Sequence, residues 1–318
     1  MIVAVTVDLE ATEATVLPDW MGERVRGALF GALKSQDADL ATDTHADRSV
    51  QPYTVAWLGP RGEVRPGARG TVRWTALEAG VAQSIVGDVM PAIGDTFDLS
   101  GQSWRVTAKG VPPSADEPGS RPESDGSVAG GTSATGVHGN GEPGVASSPR
   151  PLAPTVLAGT PRSPWAGTGT CEALARLHLI GGRRPAPRVE LQFTTPTTFH
   201  SQGRSMPLPL PRLVFGSLLD RWNAFAPLRI DPEILVVVEQ ACTIARYDLR
   251  TEAVPLGGGL QIGFVGRCTY GLPPGRGIRP ADEYAWRVLH LLASFAFFAG
   301  VGAKTTMGMG TVRMLPGR

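Results

Sequence analysis

Apolar side chains recur along the chain with two different periods, and the switches between them mark out the elements. Ile2 to Leu9 reads as a strand, and Gly22 to Ser35 carries Val25, Ala28, Leu29, Ala32 and Leu33 at the i, i+3, i+4, i+7, i+8 spacing of an amphipathic helix. Strands follow over Pro52 to Leu58 and Gly70 to Leu77, then a second helix over Glu78 to Met90 and closing strands within Thr96 to Lys109. That order, β-α-β-β-α-β, is the ferredoxin-like (RRM-like) split βαβ unit, whose open sheet face is a frequent RNA platform.

From residue 112 to 165 the pattern stops. Pro, Gly, Ser, Ala and Asp replace the large apolar residues, and such a segment cannot offset the entropy of ordering, so a flexible insertion is expected. After a short helix around Cys171 to Leu177 the pattern resumes, with a strand over Val189 to Thr195, a helix over Pro211 to Trp222 and strands over Cys242 to Thr251 and Leu260 to Tyr270. A long helix from Ala281 to Ala299 and a strand from Gly310 to Leu315 close the set. The chain therefore reads as α+β, with tandem ferredoxin-like domains over 1–111 and 166–318 separated by the insertion.

Composition narrows the classes. Of 318 residues, 42% are hydrophobic and 19% charged, which suits a core-forming protein. The formal net charge is only +1, so any nucleic-acid site must be a local basic strip and not a global field. Cys171, Cys242 and Cys268 have neither disulfide-framework nor zinc-knuckle spacing. The opening Met1-Ile2-Val3-Ala4-Val5-Thr6-Val7-Asp8 has no basic leader, and the apolar run from Val288 to Val301 is too short to span a bilayer, so no membrane association and a cytoplasmic location are expected.

Two places carry candidate chemistry. The first is the break after the last helix, Gly300-Val301-Gly302-Ala303-Lys304-Thr305-Thr306-Met307-Gly308-Met309-Gly310. Without Cβ atoms at Gly300, Gly302, Gly308 and Gly310, backbone N–H groups can turn toward a polyanion, with Lys304 at the rim, although the same glycines also suit a turn that lets a strand pack closely. The order is not that of a Walker loop. The second is His45, in a polar connection with Arg48 three residues on, after a helix presenting Arg26, Phe30 and Lys34 at i, i+4, i+8. An imidazole among cations suits a phosphodiester, because it can move protons near neutral pH while the cations hold phosphorane charge. His178, His200 and His290 show no ligand spacing with acids, so neither a metal nor another cofactor is inferred. Arg246, Arg250 and Arg267 on the second-domain strands extend the basic strip.

Six segments in order resemble one family. They are Gly27 to Ser35, the histidine followed by Gln51-Pro52-Tyr53-Thr54-Val55, Phe193 to Phe199, Pro209-Leu210-Pro211 leading into Val214-Phe215, Gly263-Phe264-Val265-Gly266, and the terminal glycine-rich loop. Together they are similar to the CRISPR-associated repeat-processing endoribonucleases, the Cas-six family of the RAMP superfamily. The resemblance covers the chain outside the insertion. It implies metal-independent cleavage of CRISPR precursor RNA within repeats by 2′-hydroxyl attack, leaving 5′-OH and 2′,3′-cyclic phosphate ends. His45 falls at the family's usual catalytic histidine, with Arg48, Lys34 or Arg26 as the cation, and Gly300, Gly302, Lys304, Gly308 and Gly310 as the RNA-binding set. Phe30 stands where some members have a catalytic tyrosine and Gln51 where they have a lysine. The resemblance leaves open association with CRISPR effector subunits and homodimerisation. The rival reading is a non-catalytic RNA-binding subunit of an effector complex, which needs the loop but not the histidine.

Overall fold

A computed structural model describes residues 1–45, 49–99, 101–111, 163–182, 184–201, 203–272, 278–279 and 282–316, with the side chain of residue 45 outside the described set. The expected insertion lies outside the described residues except at its C-terminal end.

The first domain opens with β1 (Ile2–Ala11) and a short β2 (Thr15–Leu17), then α1 (Gly22–Gln36) and α2 (Ala38–His45). It continues through β3 (Tyr53–Leu58), β4 (Gly62–Val64) and β5 (Arg69–Ala76). A helix follows as α3 (Ala79–Ser84), a π-helical turn over Ile85–Val89 and α4 (Met90–Ala92), and the domain closes with β6 (Thr96–Leu99) and β7 (Gln102–Gly110). The sheet order is β3-β5-β1-β7-β6, antiparallel throughout. Its four principal strands form the ferredoxin-like arrangement. Val25, Leu29 and Leu33 of α1 are buried as their spacing requires, and meet Val5, Val7, Val55, Val72 and Trp74 in one core.

The second domain begins with β8 (Gly167–Gly169), α5 (Cys171–Ala175) with a π-helical turn to Ile180, and β9 (Arg188–Thr197). A hairpin of β10 (Phe199–Ser201) and β11 (Arg204–Met206) precedes α6 (Pro211–Phe225) and α7 (Ile234–Ala241). The long hairpin of β12 (Thr243–Leu256) and β13 (Gly259–Gly271), then α8 (Glu283–Ala299) and β14 (Val312–Leu315), complete the repeat. Its order, β12-β13-β9-β14, reproduces that of the first domain.

Two features correct the expectations from sequence. β8 does not join the second sheet: it pairs with Ile2–Ala4 of β1, next to the stretch of β1 that β7 covers. The chain thus leaves the first sheet at Gly110 and returns to it at Gly167, so the domain boundary expected at 166 cuts through the first sheet. The first sheet's far face is also no open RNA platform. Helix α8 has twelve of its seventeen residues buried and only a narrow polar stripe, Glu283, Arg287, His290 and Ser294, and a helix so widely apolar needs cover on more than one side. One side packs on α6 and the second sheet, while Ile2, Ala4 and Leu77 of the first domain join the same core. Arg73 of β5, only 2% exposed, donates to the carbonyls of Trp165 at 2.9 Å and Phe297 at 2.5 Å, clamping α8 to the first sheet.

Candidate functional site

A cleft of about 650 Å³ opens where the two domains meet. Ser49, Val50 and Gln51 form its first-domain wall. Lys304, Thr305 and Thr306 of the glycine-rich loop form a second wall, and His200 of β10 with Arg212, Ser217, Asp220 and Arg221 of α6 form a third. In sequence, this first wall begins directly after Arg48.

Of the two roles its composition allowed, an open cradle or a closely packed turn, the loop takes the second. Each glycine amide is engaged by the protein: Gly300 donates to Ala296 O, Gly302 to Ser217 Oγ, Gly308 to Thr305 O and Gly310 to Pro196 O. The missing side chains serve close packing instead. A Cβ on Gly302, whose φ is +79°, would lie 2.3 Å from Thr198 O, and one on Gly308 would lie 2.9 Å from the Cα of Gly22 at the start of α1. Glycine against glycine lets the loop seat on the first domain, where Trp20 Nε1 also donates to Met307 O at 2.6 Å.

What the loop presents outward is Lys304. Among the described residues it is the one non-glycine residue with positive φ, at 60°, and it is exposed on the cleft wall. Its carbonyl accepts from the amides of Met307 and Met309, which fixes the left-handed turn. Backbone strain held by surrounding structure is a recurrent mark of functional positions. Arg221 secures the loop from behind, donating from Nη2 to Gly302 O at 2.8 Å. Burial pulls its pKa down to about 10, with Asp220 opposing.

The other expected residues fall as follows. His45 ends α2, so the connection read as a polar loop is helical, with Ala41 and Thr44 buried in it. The His45 side chain and Arg48 lie outside the described residues. Arg26 does not line the cleft. It sits beneath the loop, with Nε 3.1 Å from the hydroxyl of Tyr53, Nη1 3.4 Å from Met307 Sδ and its guanidinium 5.7 Å from the Phe30 ring centre. Burial raises the Tyr53 pKa while Arg26 and Thr306 pull against it, so Tyr53 links α1 to the loop from inside. The Arg26, Phe30, Lys34 stripe is thus not one solvated face: Phe30 packs edge-on to Tyr53 at 5.2 Å. Lys34 is exposed on the last turn of α1 and is not among the cleft-lining residues.

Sequence reasoning missed His200, Arg212, Ser217 and Arg221. Nothing in α6 marks its polar residues out from those of an ordinary amphipathic helix, and only the tertiary fold turns them toward the loop. Among the described residues, no group of three or more His, Cys, Asp or Glu side chains is disposed to hold a metal ion.

Beside this geometry stands a likeness, in sequence and in fold, to Cas6 proteins. A family model for the CRISPR-associated endoribonuclease Cas6 matches residues 191–312. A CRISPR-associated endoribonuclease Cas6 of Mycobacterium tuberculosis (strain CDC 1551 / Oshkosh) is 31% identical over 135 residues, 42% of this chain and 41% of that protein. A Cas6 product complex superposes with a TM-score of 0.67 at 25% identity, over 99% of this chain and 100% of the other. The matched family model falls within the second domain, and the likeness in fold runs over the whole chain. A Streptococcus thermophilus Cas6 endoribonuclease is 28% identical over 124 residues, 38% of this chain and 48% of that protein. The matched stretch thus spans less than half the length of these curated Cas6 relatives. Thermus thermophilus Cas6, at a TM-score of 0.63, 24% identity and 99% and 98% coverage, shares the tandem fold.

Proposed function

We propose that this protein is an endoribonuclease of the Cas6 family that cuts CRISPR precursor RNA within its repeats, at a phosphodiester seated in the cleft between the domains. The observation that carries the reading is Lys304, held in a strained left-handed turn on the wall of a cleft that Ser49, Val50 and Gln51 also line, the residues that follow His45 and Arg48 in sequence. A cation fixed by an over-determined backbone is arranged in advance for an anionic group.

In the proposed reaction the ribose 2′-hydroxyl attacks the adjacent phosphorus in line with the departing 5′-oxygen. Its proton passes to a base, the P–O5′ bond breaks, and the 5′-oxygen takes up a proton, leaving a 2′,3′-cyclic phosphate and a 5′-hydroxyl. The nucleophile belongs to the substrate, so the protein has only to align the attack, move protons and neutralise charge. His45 is assigned the proton transfer, being the histidine whose chain continues into the cleft wall. Lys304 and Arg48 are assigned the phosphate charge. Arg26 supports the loop through Tyr53 and Met307, and Lys34 is assigned RNA contact beyond the cleft. The reaction needs no metal-activated water. We assign a cytoplasmic setting for it; among the described residues no helix is long and apolar enough to cross a membrane.

The test is repeat RNA incubated with wild type and His45→Ala in chelator, with end-group analysis of the products. Cyclic phosphate and 5′-hydroxyl ends from wild type, with binding kept and cleavage lost in the variant, are expected. Cleavage unaltered in His45→Ala removes the histidine from the mechanism, and wild type that binds without cutting makes the protein an RNA-binding subunit.

A further inference from the structure

The second sheet has a face that the cleft does not use. Phe193, Cys268, Tyr270 and Val312 point into the core with α6 and α8, so their neighbours along each strand point the other way. Register places Arg313 of β14 opposite Gln192 of β9, Gln192 opposite Arg267 of β13, and Arg267 opposite Asp248 of β12, in one row across the sheet. Arg246 stands on the same face one pair further along β12. Arg246 and Arg267 are exposed. Among the described residues, none of Arg246, Arg267 and Arg313 has an ion-pair partner, although Asp248 and Glu190 share the face. Arg313 is held flat, its Nε 2.9 Å from Gln192 Oε1 and its guanidinium 4.7 Å from the Trp165 ring centre. Burial and the nearby Arg267 both lower the Arg313 pKa, so the like charges are not neutralised locally.

We propose that this outer face is a second RNA-contact surface, holding the sugar–phosphate backbone of a repeat segment remote from the scissile bond. The inference rests on the functional reading above and extends it. Three features select this occupant. Arginines in a row without acid partners suit successive phosphates. A protein partner would need an apolar centre to its interface, and the arginine row offers no exposed apolar side chain. Base reading would need a free aromatic face, yet the Trp165 ring stacks on Phe297 on one side and carries Arg313, while Tyr247, opposite buried Cys268, belongs to the other face. The glycine-rich loop runs directly into β14, so RNA leaving Lys304 over that edge meets Arg313, then Arg267, then Arg246.

The experiment compares two RNAs, a full-length repeat and a short RNA spanning only the nucleotides around the cut, by fluorescence anisotropy across a salt series. The proteins are wild type, Arg246→Ala/Arg267→Ala and Arg267→Gln, with thermal melts to check folding. The full-length repeat should bind the double variant severalfold more weakly. Its slope of log affinity against log salt should fall by roughly 0.7 for each single-strand phosphate that an arginine no longer neutralises. A scrambled RNA of equal length should be weakened by the same amount, and the short RNA should bind as before. Full-length binding and slope that do not change overturn the proposal. So does equal weakening for both lengths, which would place the arginines at the cleft. The readout is binding, so it stands apart from the cleavage test: wild type that never cuts sinks the nuclease reading and leaves the length dependence intact.

Discussion

Lys304→Gly separates what the loop does for the fold from what it does for function. A left-handed backbone costs a non-glycine L-residue about 1–2 kcal/mol, and glycine removes that cost but gives back about 0.5–1 kcal/mol through the entropy of the unfolded chain. The Lys304 side chain is exposed and its structural role runs through its carbonyl, bound by the amides of Met307 and Met309, which glycine preserves. The net expectation is therefore a gain of about 0.5–1 kcal/mol in stability, read as a higher urea midpoint at unchanged m-value. RNA binding should move the opposite way, weakening for repeat and scrambled RNA alike, with a salt slope smaller by about 0.7–0.9. Lys304→Ala should share the weaker binding without the stability gain, because alanine keeps the strained φ. A less stable Lys304→Gly would refute the strain argument, and an unaltered salt slope in both variants would remove Lys304 from the phosphate.

The remaining predictions concern packing, burial and pH. Gly302 and Gly258 have nearly equal φ, +79° and +76°, but a Cβ meets Thr198 O at 2.3 Å at the first and nothing within 4 Å at the second. Alanine should therefore cost about 1 kcal/mol at Gly258 and about 1–3 kcal/mol more at Gly302, and equal costs by denaturant titration would show that the clash is not felt. Arg73→Ala strands two carbonyls at about 1–3 kcal/mol each, so a total of about 2–6 kcal/mol is expected, and a destabilisation under about 1 kcal/mol would mean that water replaces the clamp. Burial, with His290 alongside, lowers the His178 pKa to about 4, and burial lowers that of His290 as well. The unfolded chain then binds more protons below about 6.5, so stability present above that pH is lost as pH falls toward about 4. The melting temperature should drop through this window, and His178→Phe should flatten the drop; an unchanged slope would assign it to other groups.

The element order was legible because each core face repeats with its own period, and the helices over 22–36 and 283–299 lie where Val25, Leu29 and Leu33 or the apolar run from Val288 require. Less legible was what those faces meet. Nothing local says that this helix is shared by two sheets, although the narrowness of its polar stripe, Glu283, Arg287, His290 and Ser294, is the physical signature of that arrangement. Arg73 was invisible for a related reason, since an arginine in a strand reads as solvated and only the carbonyls of Trp165 and Phe297, remote in sequence, make burial tolerable. At the candidate site, composition left two roles open for the loop's glycines, an anion cradle or close packing, and could not choose between them. Whether a glycine amide faces ligand or protein depends on partners such as Ser217 and Pro196, more than eighty residues away.

The packing of α8 also bears on where the proposed site lies. A ferredoxin-like domain offers RNA its sheet face or the loops at its ends, and the first domain has given its sheet face to α8, sealed by Ile2, Ala4, Leu77 and the Arg73 clamp. The approaches left on that domain are the α2–β3 connection, which carries Ser49 to Gln51, and the surface of α1, whose start is occupied by Met307 and Gly308. The second domain brings to the same cleft as Ser49, Val50 and Gln51 a loop whose backbone is strained at Lys304. The clamp that joins the domains therefore also fixes the distance between the cleft walls, and a change at Arg73, which touches neither wall, should alter cleavage through geometry. Loss of stability in Arg73→Ala with cleavage unchanged under native conditions would show that the walls are positioned by the loop's own contacts to α1 alone.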